Sequence, residues 1–445
     1  MAAPKLGLLD TLRFHIGVTT PALLWGLIAP NRWFMPLLSW LNAGRCVART
    51  LNALREKHGD RFWVTFWFGL APPTLVALDP DSMHQLLHSD RNQSDPKLKK
   101  TALSKFIPDA LTISAETEWQ DRRDFNTHVL DTDSHVHRYG EAFKGIAYAE
   151  VGRASKSSPF ELGWPDFQGL AQRISQQVLL GSGVLEPVLA LQVARMIFRG
   201  NWLLPRNQSA FSAFYENLGK HLEWHRAAAA APNPCLMHDS AERLVRGLAT
   251  DVTCVPRQFA FWVFVLKDAL ELHVARTLAL IAAHPEIQER VRQEVRAARP
   301  MTAEKINGLQ LLDACVREQL RLWTPVPMLW RRAFERFNLN GVQIEPKQEV
   351  LIFTGRYHRD AQVFGDIADR FSPDSPGDGL APVYIFSQGR QACAGQNLAR
   401  FMIKATLAAL LTKCKANLSG PRIDPSRIPY LYNHFNIKLR MTPDS

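Results

Sequence analysis

The chain has 445 residues, 46% of them hydrophobic, and a formal charge of +11 from 53 basic against 42 acidic side chains. That size and apolar fraction allow one large catalytic domain with a core deep enough to enclose a ligand; the basic balance suits acidic partners, with nucleic acid set aside for want of a zinc-finger or other compact recognition module. The six cysteines show no C-x-x-C and no regular spacing, which excludes a disulfide framework or zinc ribbon and fits a reducing, cytoplasmic compartment.

In chain order, "GVTTPALLWGLIAP" and "WFMPLLSWL" are apolar but interrupted by Asn31, Arg32 and prolines. Both are too short to span a bilayer. Residues 1–45 are therefore expected to be an apolar segment that packs on the body or touches a membrane surface peripherally, ahead of a single domain at 46–445. "CVARTLNALREKHGD" has helical spacing and stops at Gly59; "RFWVTFWFGLAPPTLVALDP" predicts a hairpin around a Gly/Pro turn. "DPDSMHQLLHSD" predicts a capped helix, and residues 91–117 a long polar loop. Helices dominate from Glu118 to about residue 325, with an Ala/Pro connector in "RAAAAAPNPC". Short strands follow in "FNLNGVQIEPKQEVLIFTG", and a last helix in "QNLARFMIKATLAALLTKC". The expected fold class is mainly α with small β-sheets near both ends.

Four separated patterns then fall in order. "FSQGRQACAG" runs from Phe386 through Gly389 and Cys393 to Gly395. "EQLR" holds Glu318 and Arg321, whose spacing puts them on one helical face. "ADRF" supplies Arg370, and "WQDRR" supplies Trp119 and Arg123. Singly, each has an ordinary reading as a surface ion pair, a core aromatic or an inert buried thiol. Together they resemble the cytochrome P450 family over essentially the whole chain. The resemblance implies the P450 fold, haem b as cofactor and Cys393 as the thiolate ligand to iron. It implies propionate contacts from Trp119, Arg123 and Arg331, and a buried Glu318–Arg321 pair joined by Arg370. A ligand loop of this kind needs glycines so that backbone amides approach the sulfur, and a helix starting behind it favours the anion.

Two departures stand out. Where the family carries A-G-x-[DE]-T, this chain reads "VLKDA": the acid persists as Asp268, but Ala269 replaces the threonine. A methyl group neither donates nor relays a proton. Glu271 and His273 are nearby polar substitutes; His273, at i+4 from Ala269, is a candidate for the haem-facing side, against the ordinary reading of a surface or satisfied core histidine. Two residues before the cysteine stands Gln391, with Arg390 displaced by one. Phe261, Trp262, Val265 and Ala269 are expected to roof a pocket for a mostly apolar small molecule.

The first expectation is a monomeric monooxygenase of specialised metabolism, fed by a ferredoxin or flavoprotein docking near Arg122, Arg390, Arg400 and Lys404. Ala269 leaves open an isomerase, dehydratase, lyase or group-transfer enzyme needing no external electrons. A non-catalytic haem-binding homologue is the third reading.

Overall fold

A computed structural model describes residues 3–66, 73–93, 101–114, 116–155, 159–181, 187–227, 234–375 and 382–443. The expected Gly/Pro turn at 67–72, part of the 91–117 loop and most of the Ala/Pro connector lie outside these residues.

Short helices α1 (Leu8–Phe14), α2 (Thr20–Trp25) and α3 (Met35–Trp40) lead into α4 (Ala43–His58), which ends at Gly59 as expected. The hairpin β1 (Arg61–Val64) and β2 (Thr74–Ala77) forms with Phe62 opposite Val76. Asp79 then caps α5 (Pro80–His88), its carboxylate accepting from the Ser82 N–H at 2.8 Å. After β3 (Asn92–Gln93) the helical body begins: α6 (Glu116–Val129), α7 (Gly140–Ala154), then past β4 (Phe160–Gly163), α8 (Trp164–Leu180), α9 (Pro187–Asn201), α10 (Gln208–Ala227) and α11 (Leu236–Val245).

The centre of the body is α12 (Val255–Ala283), 29 residues long and apolar on nearly every side, as a helix packed by neighbours all round must be. It lies against α8, α15 and α18. Helices α13 (Pro285–Ala297), α14 (Ala303–Asn307) and α15 (Gln310–Leu322) follow. Strands β5 (Leu329–Ala333), β6 (Phe337–Leu339), β7 (Val342–Ile344) and β8 (Glu349–Ile352) precede the one-turn helices α16 (Thr354–Tyr357) and α17 (Ala361–Phe364). The chain closes with α18 (Gln396–Lys413), β9 (Cys414–Gly420) and β10 (Lys438–Pro443).

The strands at the two ends do not form separate sheets. One five-stranded sheet has the order β1-β2-β8-β5-β3, with β2 parallel to β8 and its other pairs antiparallel. The join is apolar: Leu75 and Val76 of β2 lie beside Val350 and Leu351 of β8, all buried. This clamps the N-terminal hairpin to β8, whose other edge pairs with β5, the strand bearing Arg331. A three-stranded sheet β4-β10-β9 and a hairpin β6-β7 complete the topology.

Candidate active site

The loop around Cys393 is shaped by two residues in the left-handed region, Ser387 (φ 59°) and Gly389 (φ 62°). Glycine is required at 389, because a Cβ there would run into the Leu87 carbonyl at the end of α5. Gly395 has an ordinary φ, and a Cβ on it would make only a normal contact with Leu130, so its role is not conformational freedom. The Cys393 N–H donates to the Phe386 carbonyl at 2.9 Å, closing the loop. Thr132 Oγ1 donates to the Ala394 carbonyl at 2.7 Å, and Asn397 Nδ2 to the Thr132 carbonyl at 2.9 Å, fixing the loop to the segment after α6. The sequence held no sign of these two anchors.

Burial pushes the Cys393 thiol up, opposed by the Gly395 N–H donating to sulfur and by the nearby Arg123 cation. The residue nonetheless remains solvent-accessible, so open space reaches the loop. Helix α18 starts three residues later and directs its positive end toward the loop.

Cationic and amide donors surround this loop. Arg123 on α6 donates Nη1 to the Ala392 carbonyl, and the Arg390 guanidinium lies over the Trp119 ring, 4.3 Å from its centroid. Arg331 in β5 is 3% exposed and bonds only neutral groups, the Trp330 carbonyl at 2.9 Å and Ser387 Oγ at 2.7 Å. Among the described residues no carboxylate pairs with it, and burial lowers its pKa to about 10. The Gln391 amide nitrogen is also buried with no partner among the described residues. A buried cation without an anion and an unfilled donor, both beside a thiol at a hollow, fit a cofactor that brings carboxylates and a thiophilic metal.

The long helix α12 supplies another wall. Phe261, Val263, Val265, Lys267, Asp268 and Ala269 stay partly accessible, and of these Phe261, Val265, Asp268 and Ala269, at i, i+4, i+7 and i+8, share one face. Burial raises the pKa of Asp268 against the pull of Lys267 and Arg276. Helix α6 ties this helix to the cysteine loop: Arg123 holds Ala392, and one turn on, Asn126 Oδ1 accepts from Trp262 Nε1 at 2.9 Å. Trp262 is thereby corrected. Its ring is buried, stacked on Phe125 with centroids 5.9 Å apart, on a different face from Phe261 and Val265. His273 is corrected too: it is buried toward α15, with Nδ1 2.9 Å from Gln319 Oε1, and burial beside Arg276 lowers its pKa to about 3. Glu271 points to Lys267 and Gln168, and burial raises it to about 7.

Comparison with known proteins points to one family. The family profile described as Cytochrome P450 matches residues 274–431. A rice (Oryza sativa subsp. japonica) protein named Cytochrome P450 714C2 is 30% identical over 236 residues, covering 50% of this chain and 44% of its own length. An Arabidopsis thaliana protein named Cytochrome P450 72A11 is 23% identical over 431 residues, 88% of this chain and 82% of its own. The chain belongs to the cytochrome P450 family. It thus spans less than half of the rice relative and most of the Arabidopsis one. P450 proteins bind haem, and the donors around Cys393 suit that cofactor.

Within this P450, the Glu318–Arg321 pair is a buried strut. Arg321 Nε and Nη2 donate to the two Glu318 oxygens at 2.7 and 2.9 Å. The guanidinium also donates to the carbonyls of His358, Ile367, Ala368 and Arg370, which stitches α15 to the segment leading toward the cysteine loop. Here the expectation for Arg370 fails: its exposed side chain leaves the pair, and only its carbonyl takes part. Glu318 instead accepts from the Ser372 N–H at 3.1 Å. The expected donor-docking residues are also reassigned. Arg122 and Lys404 are buried, and Arg400 is held by Asp313 at 2.6 Å. A further residue missed from sequence is Arg276, a buried cation on α12; its only signal was a lone charge inside "LHVARTLALIAA".

Proposed function

We propose that this P450 is a haem-thiolate monooxygenase acting on a mostly apolar small molecule in specialised metabolism. The observation that carries the proposal is the pairing of an intact thiol loop with a retained acid, Asp268, on the accessible stripe of α12. Haem, when bound, supplies the redox-active iron for oxygen chemistry.

The chain's own residues do the rest. Cys393 ligates the iron, its anionic form favoured by the Gly395 N–H, Arg123 and the head of α18. Arg331, Arg123, Gln391 and Trp119 hold and orient the propionates, while Phe386 and Gly389 shape the loop beneath. Phe261 and Val265 present apolar surface that excludes water and admits an apolar substrate. Asp268, whose raised pKa lets it hold a proton, passes that proton on through a substrate hydroxyl or an ordered water where Ala269 lacks one. Electrons come from a ferredoxin or flavoprotein. Among the described residues no helix is long and apolar enough to cross a membrane. The exposed Leu8, Leu9, Trp33 and Trp40, each at least 75% exposed, support peripheral contact with a membrane surface by the segment 1–45.

The test supplies purified haem-loaded protein with an electron donor, oxygen and candidate substrates. Reductant consumption coupled to oxygenated product is expected, and Ala269→Thr should raise the coupled fraction by completing the relay. Uncoupled consumption throughout would sink the proposal. The second reading, an isomerase, dehydratase, lyase or group-transfer enzyme, is favoured by Ala269 itself. It predicts turnover of a peroxide or N-oxygenated substrate without reductant, and indifference to Ala269→Thr.

A further inference from the structure

A second hollow lies away from the cysteine loop, between the N-terminal helices and the end of α15. It is an open cleft of about 140 Å³, lined mainly by apolar side chains of α2, α3 and α4 together with Trp323 and Tyr432. Among the described residues three arginines line it, Arg276, Arg356 and Arg359, and no acid does. Two of them are committed: Arg356 bonds Asn52 and pairs with Asp360 at 2.9 Å, and Arg359 pairs with Asp369 at 2.7 Å.

Arg276 is different. It is 3% exposed, and among the described residues its one hydrogen bond runs from Nη2 to His434 Nδ1 at 3.1 Å. That ring nitrogen can accept because burial and the neighbouring cation keep His434 neutral. Arg276 Nε is buried with no partner, and among the described residues no carboxylate is within ion-pair distance. Trp25, on the same cleft, also has a buried indole N–H with no partner. Unfilled donors of this kind are costly unless something accepts from them. A ligand with an apolar body and an anionic acceptor supplies what both lack.

We propose that this cleft is a binding site, separate from the haem pocket, for an aliphatic carboxylate. The anionic head is held by Arg276, with the Trp25 N–H as a second donor, and a chain segment fills the apolar part. A cavity of about 150 Å³ accommodates a benzene-sized group, so the cleft takes about six carbons and a longer chain emerges through its open side.

The experiment titrates haem-loaded, full-length protein with octanoate, and with octan-1-ol as the uncharged control, by calorimetry and by thermal melting. Octanoate is expected to bind at one site and raise the melting temperature, at least 10-fold more tightly than octan-1-ol. Arg276→Gln should remove at least 10-fold of the octanoate affinity and leave octan-1-ol unchanged. Trp25→Phe should weaken octanoate to a smaller degree, and Ala22→Phe, which fills the cleft, should abolish binding of both; these two variants keep the test decisive if the buried Arg276→Gln does not fold. The haem absorption band should not move, and an imidazole on the iron should not compete. Absence of binding, equal affinity for acid and alcohol, or indifference to all three variants overturns the site. Competition by imidazole overturns its separateness and assigns octanoate to the haem pocket as substrate.

Discussion

Arg331 offers the sharpest check on the cofactor assignment, because its removal should act differently with and without haem. Burial lowers its pKa from the ordinary 12.5 to about 10, and at about 1.4 kcal/mol per tenfold that burdens the charged form by roughly 3 kcal/mol. Its hydrogen bonds to Trp330 and Ser387 return about 1–2 kcal/mol each. The two contributions nearly cancel, so Arg331→Met should change the stability of the haem-free protein by no more than about 1 kcal/mol. With haem bound, the same change leaves a propionate buried and unpaired, which costs about 3–5 kcal/mol. Haem affinity should then fall by roughly two to four powers of ten. The assay follows haem transfer to apomyoglobin, with thermal melts of both forms beside it. Equal losses in the two forms would show that Arg331 serves the fold and that its buried charge says nothing about a cofactor.

Two further outcomes follow from the geometry. Glu318→Ala leaves the Arg321 guanidinium buried without its anion and should destabilise by about 3–5 kcal/mol in urea unfolding, whereas Arg370→Ala keeps the carbonyl that is used and should cost no more than about 0.5 kcal/mol. A large loss at Arg370 would restore its side chain to the pair. Glu271 provides a pH signature. Its folded pKa is raised from 4.5 to about 7, so the native state binds the proton more tightly than the unfolded chain. Stability is then fully present below about pH 4.5, falls as pH rises toward about 7 and is level beyond. Melting curves at about pH 5 and about pH 8 should differ less in Glu271→Gln than in the parent; an unchanged difference would assign the effect elsewhere.

Legibility from sequence followed the range of the contact. The Phe386–Gly395 loop and Glu318 with Arg321 are short-range patterns, and each sits in the structure as a unit. What failed was the direction of single side chains. Phe261 and Trp262 are adjacent on a helix, about 100° apart, so both cannot face one hollow; which of them does is decided by Asn126 and Phe125, more than 130 residues away. The same holds for His273, captured by Gln319. For Arg370, choosing between carbonyl and guanidinium depended on how the segment 367–372 wraps around Arg321. The join of β2 to β8 was unreadable for a similar reason, since parallel neighbours can come from opposite ends of a chain.

The two hollows also share a helix, and this gives the octanoate site a consequence at the haem side. Asp268 and Arg276 are eight residues apart on α12, about 12 Å along its axis, and each shifts the other's titration. At that separation and an effective dielectric of about 20, their attraction is roughly 1.4 kcal/mol, a factor of about 10 in the acidity of Asp268. A carboxylate seated on Arg276 offsets the cation, so Asp268 should hold its proton to a pH about one unit higher. Linkage requires the converse, that octanoate binds more tightly when Asp268 is protonated. The turnover–pH profile, measured with and without octanoate, should move by up to about one unit on the limb that reports the acid. It should stay fixed in Arg276→Gln. A shift that survives that substitution would mean the ligand acts on Asp268 from within the haem pocket.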